Sequence, residues 1–133
     1  MHGEQKSFYP DGKLQALLTY ENGKLHGKKA LLRSNGDFLE EASYSNGVLD
    51  GKYMLRQPNE SEVIYHYKEN VLNGLHQVYH PLSELFGRVK ALEGYFVDGK
   101  VEGEISEYNE AGTKVVSTYY RAGLKEGIAS VFD

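Results

Sequence analysis

The sequence has no cysteine and no tryptophan, and only 3 prolines in 133 residues. Without cysteine there are no disulfides, thiolate metal sites or cysteine nucleophiles, and the redox compartment is left undetermined. Basic clusters are also missing. The longest run of Lys or Arg is the pair Lys28-Lys29, in a chain of net charge −4. Neither a phosphate backbone nor an anionic lipid surface is matched by such a distribution, so nucleic acid is excluded as a partner and a membrane is disfavoured. No stretch approaches 18 consecutive apolar residues, and residues 1–6 lack the charged and apolar regions of a leader. A cytoplasmic location is expected. The motifs Gly-x-Gly-x-x-Gly and Gly-x-Ser-x-Gly do not occur, which removes the usual phosphate loop and serine elbow.

The sequence is rich in turn formers and in residues suited to a pleated surface, with 15 Gly and 11 Tyr. Their spacing is regular. Gly3, Gly27, Gly51, Gly74, Gly103 and Gly127 follow one another at intervals close to 24 residues, with one interval of 29. Seven residues before each glycine after the first stands an aromatic: Tyr20, Tyr44, Tyr67, Phe96 and Tyr120. Four before stand Gly23, Gly47, Asn70, Gly99 and Gly123, residues that tolerate positive φ, and Asn22-Gly23, Asn46-Gly47 and Asp98-Gly99 are hairpin dipeptides. A second turn falls nine residues after the glycine, at Asp11-Gly12, Asn35-Gly36, Asn59-Glu60 and Ala111-Gly112.

Two turns per repeat leave two short segments, and the second of these alternates with period 2. One face carries Ala16, Leu18, Tyr20, Glu40, Ala42, Tyr44, Val63, Tyr65, Tyr67, Leu92, Gly94, Phe96, Val116, Thr118 and Tyr120, and is mostly apolar. The interleaved face reads as more polar in the first half, with Thr19, Glu41 and Ser43, than in the second, with Ile64, His66, Tyr95 and Tyr119. The first segments, such as 28–33 and 104–109, alternate less cleanly. The expected fold class is all-β: one domain over 1–133, an elongated single-layer antiparallel sheet of tandem β-hairpins with about eleven short strands. At about 4.8 Å per strand such a sheet extends about 50 Å. The repeats are 3–26, 27–50, 51–73, 74–102 and 103–126, with a half repeat at 127–133.

These residues resemble the MORN repeat in its bacterial variant form, here aromatic-x-Asn-Gly-x-Leu-x-Gly. The pattern stands as Tyr20-Glu21-Asn22-Gly23-Lys24-Leu25-His26-Gly27 and again from Tyr44 to Gly51; degenerate copies lead to Gly74, Gly103 and Gly127. Most units lack the aromatic that commoner repeats place two residues after the glycine; only Tyr53 supplies it. The resemblance, similar to the YwqK-family antitoxin-like proteins, implies a single-layer sheet serving protein–protein association, sometimes lipid binding, with no catalytic residue set. The alternatives to a plain scaffold are therefore an antitoxin-like neutraliser of a partner toxin and a membrane-peripheral lipid-binding module.

Candidate sites are few. His76 and His80 are four apart, which on a strand separates them by about 13 Å and disfavours a shared metal. No enzyme activity, metal or cofactor is expected. The fourth repeat is the long one, and its extra residues fall in 81–87, where Pro81, Leu82, Leu85, Phe86 and Gly87 are compatible with a longer hairpin loop or a single helical turn. Ile64, His66, Leu85, Phe86, Tyr95 and Tyr119 are the candidate partner-binding residues, because exposed Tyr and Ile are what a protein interface uses. The apolar last segment, Ile128 to Phe132, reads as an open edge, which implies a homodimer through edge strands, a continuing chain, or shielding by the first strand and loop.

Overall fold

The computed structural model describes residues 2–131, with side chains through Glu126. Phe132 lies outside them, as do the side chains of Ile128, Ala129, Ser130 and Val131, so the apolar character expected of the last strand is outside the described residues. The strands are β1 (Gly3–Phe8), β2 (Leu14–Glu21), β3 (Lys24–Leu32), β4 (Phe38–Ser45), β5 (Val48–Arg56), β6 (Glu62–Lys68), β7 (Val71–Leu72), β8 (Gly74–Tyr79), β9 (Lys90–Val97), β10 (Lys100–Tyr108), β11 (Lys114–Arg121) and β12 (Leu124–Val131). All form one antiparallel sheet in which each strand pairs with its sequence neighbour, and β7 and β8 share one place beside β6, parted at Asn73. The path therefore holds eleven positions without a crossover, as the repeat pattern implies.

Both turn families have a local cause. At Asn22-Gly23, Asn46-Gly47, Glu69-Asn70, Asp98-Gly99 and Ala122-Gly123 both central residues have positive φ, the type I′ geometry whose twist matches that of the flanking strands. At the opposite end, loops such as 9–13 close with Gly12 N–H donating to Tyr9 O at 2.9 Å, and Asx side chains hold them: Asp11 Oδ1 accepts from Lys13 N–H at 3.0 Å. Successive type I′ turns are tied together. Gly47 N–H donates to Leu25 O at 2.8 Å, Asn70 N–H to Leu49 O at 2.7 Å, Gly99 N–H to Leu72 O at 2.7 Å and Gly123 N–H to Val101 O at 2.8 Å.

The recurring glycines sit at a break in register. Leu18 opposes Lys29 but Tyr20 opposes Leu25, so Thr19 alone faces His26, Gly27 and Lys28, a bulge of two extra residues. The same shift occurs between Ala42 and Tyr44 against β5. On the ladder to the following strand each recurring glycine lies opposite an aromatic: Gly3 and Tyr20, Gly27 and Tyr44, Gly51 and Tyr67, Gly74 and Phe96, Gly103 and Tyr120. At Gly51 the backbone has φ +110, and an added Cβ would stand 3.2 Å from Ser43 Cβ.

Both faces hold buried apolar residues, which differs from the expected division into one oily and one mostly polar face. Ala42 and Val63 are shielded on the aromatic face; Ala30, Met54 and Ile64 are shielded on the other. One line of opposed residues crosses the second face: Lys6, Leu17, Ala30, Glu41, Met54, Ile64, Gln77, Glu93, Ser106, Ser117. It is largely apolar in the first half and polar in the second, the reverse of the expectation. The first segments supply every other residue of the line, and the bulges obscure their alternation in the sequence. The accessible surface is 8202 Å², against about 7,000 Å² for a compact monomer of this mass, as a single layer requires.

Gly51→Ala is expected to lower the stability by about 1–3 kcal/mol, because the new Cβ meets both an unfavourable φ and Ser43. Urea unfolding checks this, with Lys52→Ala, at an exposed neighbouring position, expected within about 0.5 kcal/mol of the parent.

Candidate functional site

The polar half of the second face is organised around Glu104, which immediately follows a bulged glycine on β10. Its Oε1 accepts from Ser106 Oγ at 2.6 Å, Ser117 Oγ at 2.7 Å and Lys114 Nζ at 2.9 Å, and its Oε2 accepts from the Tyr119 hydroxyl at 3.0 Å. Those bonds, with Ser106 first, hold the carboxyl down at about 2 from an ordinary 4.5. The pairing raises the Lys114 ammonium, and the same carboxylate raises the Tyr119 phenol, each chiefly through its hydrogen bond. A second carboxylate, Glu93, accepts from Lys90 and from Gln77 Nε2 and is lowered, first by Lys90. Between them lies an open hollow of about 270 Å³ lined by Glu93, Gly94, Tyr95, Glu104, Ser106, Tyr108 and Lys114.

The insertion of the fourth repeat stands at the other candidate place. It is not a helical turn but a miniature hairpin: Ser83 and Gly87 exchange backbone hydrogen bonds of 3.1 and 2.8 Å, and Ser83 Oγ accepts from the amides of Leu85 and Phe86 at 3.1 and 3.2 Å. The Ser83 bonds satisfy the backbone in a tight loop before any i→i+4 bond can form. Its base is fastened to the sheet by His80, whose Nε2–H donates to Tyr108 O at 2.8 Å. The apolar side chains point outward, with Leu82 77%, Leu85 87% and Phe86 48% exposed.

The six residues singled out in the sequence are thus divided. Ile64 is 6% exposed and offers no surface, while His66 is half-buried with its Nδ1–H donating to Leu75 O at 2.8 Å. Tyr95 and Tyr119 are 53% and 42% exposed on the second face near the I′ turns. Leu85 and Phe86 lie at the opposite end of the strands. A continuous Tyr and Ile patch is therefore not formed, because Ile64 packs in the apolar half of its row. Leu82 and Glu104 were not singled out in the sequence. Leu82 shares the insertion with Leu85, but Glu104 carries no signal until β10 and β11 are set in register.

His76 is accounted for by packing. His76 stacks on Tyr65 with centroids 4.3 Å apart and its Nδ1–H donates to Ile64 O at 3.0 Å; burial lowers its pKa. Among the described residues no group of three or more His, Cys, Asp or Glu could hold a metal, and no helix is long and apolar enough to cross a membrane.

Tandem hairpins, each closed by an I′ turn and joined to the next by a glycine facing an aromatic, define a β-hairpin repeat protein. The family model for the MORN repeat variant matches residues 1–22, the stretch that holds β1, its loop and β2. The first hairpin is thus similar to a MORN repeat variant, and the hairpins after residue 22 repeat the geometry of the matched unit. No curated protein matches the chain.

The state of Glu104 gives a pH signature. Its folded pKa lies below the unfolded one, so the stability it contributes is present above about pH 4.5 and is lost as pH falls toward about 2. Glu104→Gln is expected to flatten that part of the profile, which urea midpoints measured across the interval would reveal; parallel profiles for parent and variant would contradict it.

Proposed function

We propose that the chain is a non-catalytic scaffold for protein–protein association, and that it holds its partner through the apolar tip of the fourth repeat. The observation that carries this is the exposure of Leu82, Leu85 and Phe86 on a loop whose base is fixed by the Ser83 and Gly87 pairing and by His80. Apolar side chains on a preorganised loop bind at little ordering cost, and large ones are suited to filling a partner's pocket. The exposed ring of Tyr95 is available as a second contact on the face of the sheet. A toxin is one partner this reading admits, in which case the loop acts by occlusion. The net charge of −4 and the lack of basic clusters weigh against an anionic lipid surface. An enzymatic role is likewise disfavoured, since four donors hold Glu104 as an anion and deprive it of acid–base work near neutrality.

Replacing Leu82, Leu85 and Phe86 together by Ser is expected to leave the melting temperature nearly unchanged, because these side chains are exposed, and to abolish retention of a partner that the parent chain captures. Quantitative mass spectrometry of parallel pull-downs reads the first arm, and flotation with phosphatidylserine vesicles reads the second. Equal retention by the triple variant, or flotation of the parent at physiological salt, would refute the reading. Tyr95→Glu is expected to weaken the same retention by about tenfold if the sheet face also makes contact.

A further inference from the structure

We propose that β1 is a self-complementary edge through which two copies pair antiparallel about a two-fold axis at Gln5. Among the described residues β1 pairs with β2 alone, and all six of its residues are exposed. Its register with β2 is continuous from Gly3 to Ser7, shifting only between Ser7 and Phe8, and with Gly3 at φ +88 the four residues from Glu4 to Ser7 present a regular ladder to solvent. No proline interrupts them; Pro10 lies beyond the strand. The usual guards against edge pairing, a bulge or proline in the strand, are absent from this stretch, and charge is what remains.

That charge is arranged to favour one partner. Glu4 and Lys6 lie on the same face, with Lys6 Nζ and Glu4 Oε1 3.9 Å apart and both side chains about half exposed. In an antiparallel pair centred on Gln5, Glu4 stands opposite Lys6 of the partner subunit and Lys6 opposite Glu4 of the partner subunit. Moving the axis to Glu4 or to Lys6 places two like charges directly across from each other, which repel. The Gln5 register is thus selected over those beside it. It also brings the exposed ring of Phe8, 56% accessible, level with His2 of the partner subunit, and keeps the aromatic face continuous across the junction.

The topology decides between a closed pair and an open chain. The sheet has eleven positions in which neighbours alternate in direction, so β1 and β12 run the same way. Copies stacked by translation would have to join β12 to β1 in a parallel ladder, the weaker arrangement. A two-fold β1 junction is antiparallel and closes on itself, giving a dimer rather than a filament. So short a ladder buries less than a standard interface, so the dimer is a weak one, favoured by concentration and opposed by salt.

Sedimentation equilibrium on the full chain tests this, using a charge swap. The parent is expected to show a concentration-dependent dimer. Glu4→Lys and Lys6→Glu, each alone, turn both cross-strand attractions into repulsions and are expected to raise the dissociation constant by about tenfold or more. The double variant restores opposite charges across the axis and is expected to return to within about threefold of the parent. Melting temperatures of all four proteins separate loss of pairing from loss of folding. A parent that is monomeric at every concentration overturns the proposal, as does a dimer indifferent to the single changes or a double variant no tighter than the singles.

Discussion

The contact on which the array depends is the cross-strand pair of a bulged glycine and the aromatic of the following unit. A two-residue bulge, as at Gly27 and Gly51, raises local twist and brings the glycine against the strand before it, where a Cβ would crowd Thr19 or Ser43. On the next ladder an aromatic stands directly opposite, Tyr44 at Gly27 and Phe96 at Gly74. Each unit thus completes its predecessor. The consequence is visible where rings meet, as Tyr53 with Tyr67 at 6.0 Å and His76 with Phe96 at 5.7 Å, a spacing in the favourable range for aromatic pairs. With so few fully shielded apolar residues, nearest-neighbour terms of this kind have to carry the stability that a layered core supplies elsewhere.

The same constraint explains why the fourth repeat tolerates its insertion. The bulge, the ring and the I′ turn all lie toward one end of the strands, where Gly99 N–H still reaches Leu72 O at 2.7 Å. The loop of 81–87 extends from the other end, beyond the last pairing of β8 with β9 at Tyr79 and Lys90. Added length there disturbs neither the turn ladder nor the glycine and aromatic pair, and costs only slowly growing loop entropy. Regularity at one end leaves variation at the other inexpensive.

What the sequence disclosed follows from this division. The I′ turns were legible because Asn-Gly and Asp-Gly state their φ requirement outright, and even Asn70 marks a turn that has no glycine. The Asn59-Glu60 turn was legible from spacing, though not its support: Glu60 takes φ +73, and its carboxylate forms a bidentate pair with Arg33 at 2.6 and 2.8 Å, linking the loops of adjacent units. The facing of β3, β5 and β10 was not legible, because the bulges break the period by which facing is read. That gap hid the polar row of the second face and with it Glu104. The helical turn considered for 81–87 failed for a different reason, since Ser83 offers its own hydroxyl to the amides a helix would use.

The row that crosses the second face shows two solutions to one problem. A strand residue in the middle of a single layer is flanked on both sides and loses water whether or not it is apolar. In the first half the row meets this with Leu17, Ala30, Met54 and Ile64, which need no partners. In the second half Ser106 and Ser117 are as well shielded, at 7% and 5% exposed, and both hydroxyls are satisfied through Glu104. Such a network fixes geometry more tightly than methyl groups do, but every member depends on one carboxylate remaining ionised. Register in the half of the array that bears the insertion is therefore tied to a charge, whereas in the first half it is tied to shape. A partner held by Leu82, Leu85 and Phe86 would sit on the part of the sheet whose order is electrostatic, and its binding would inherit that dependence.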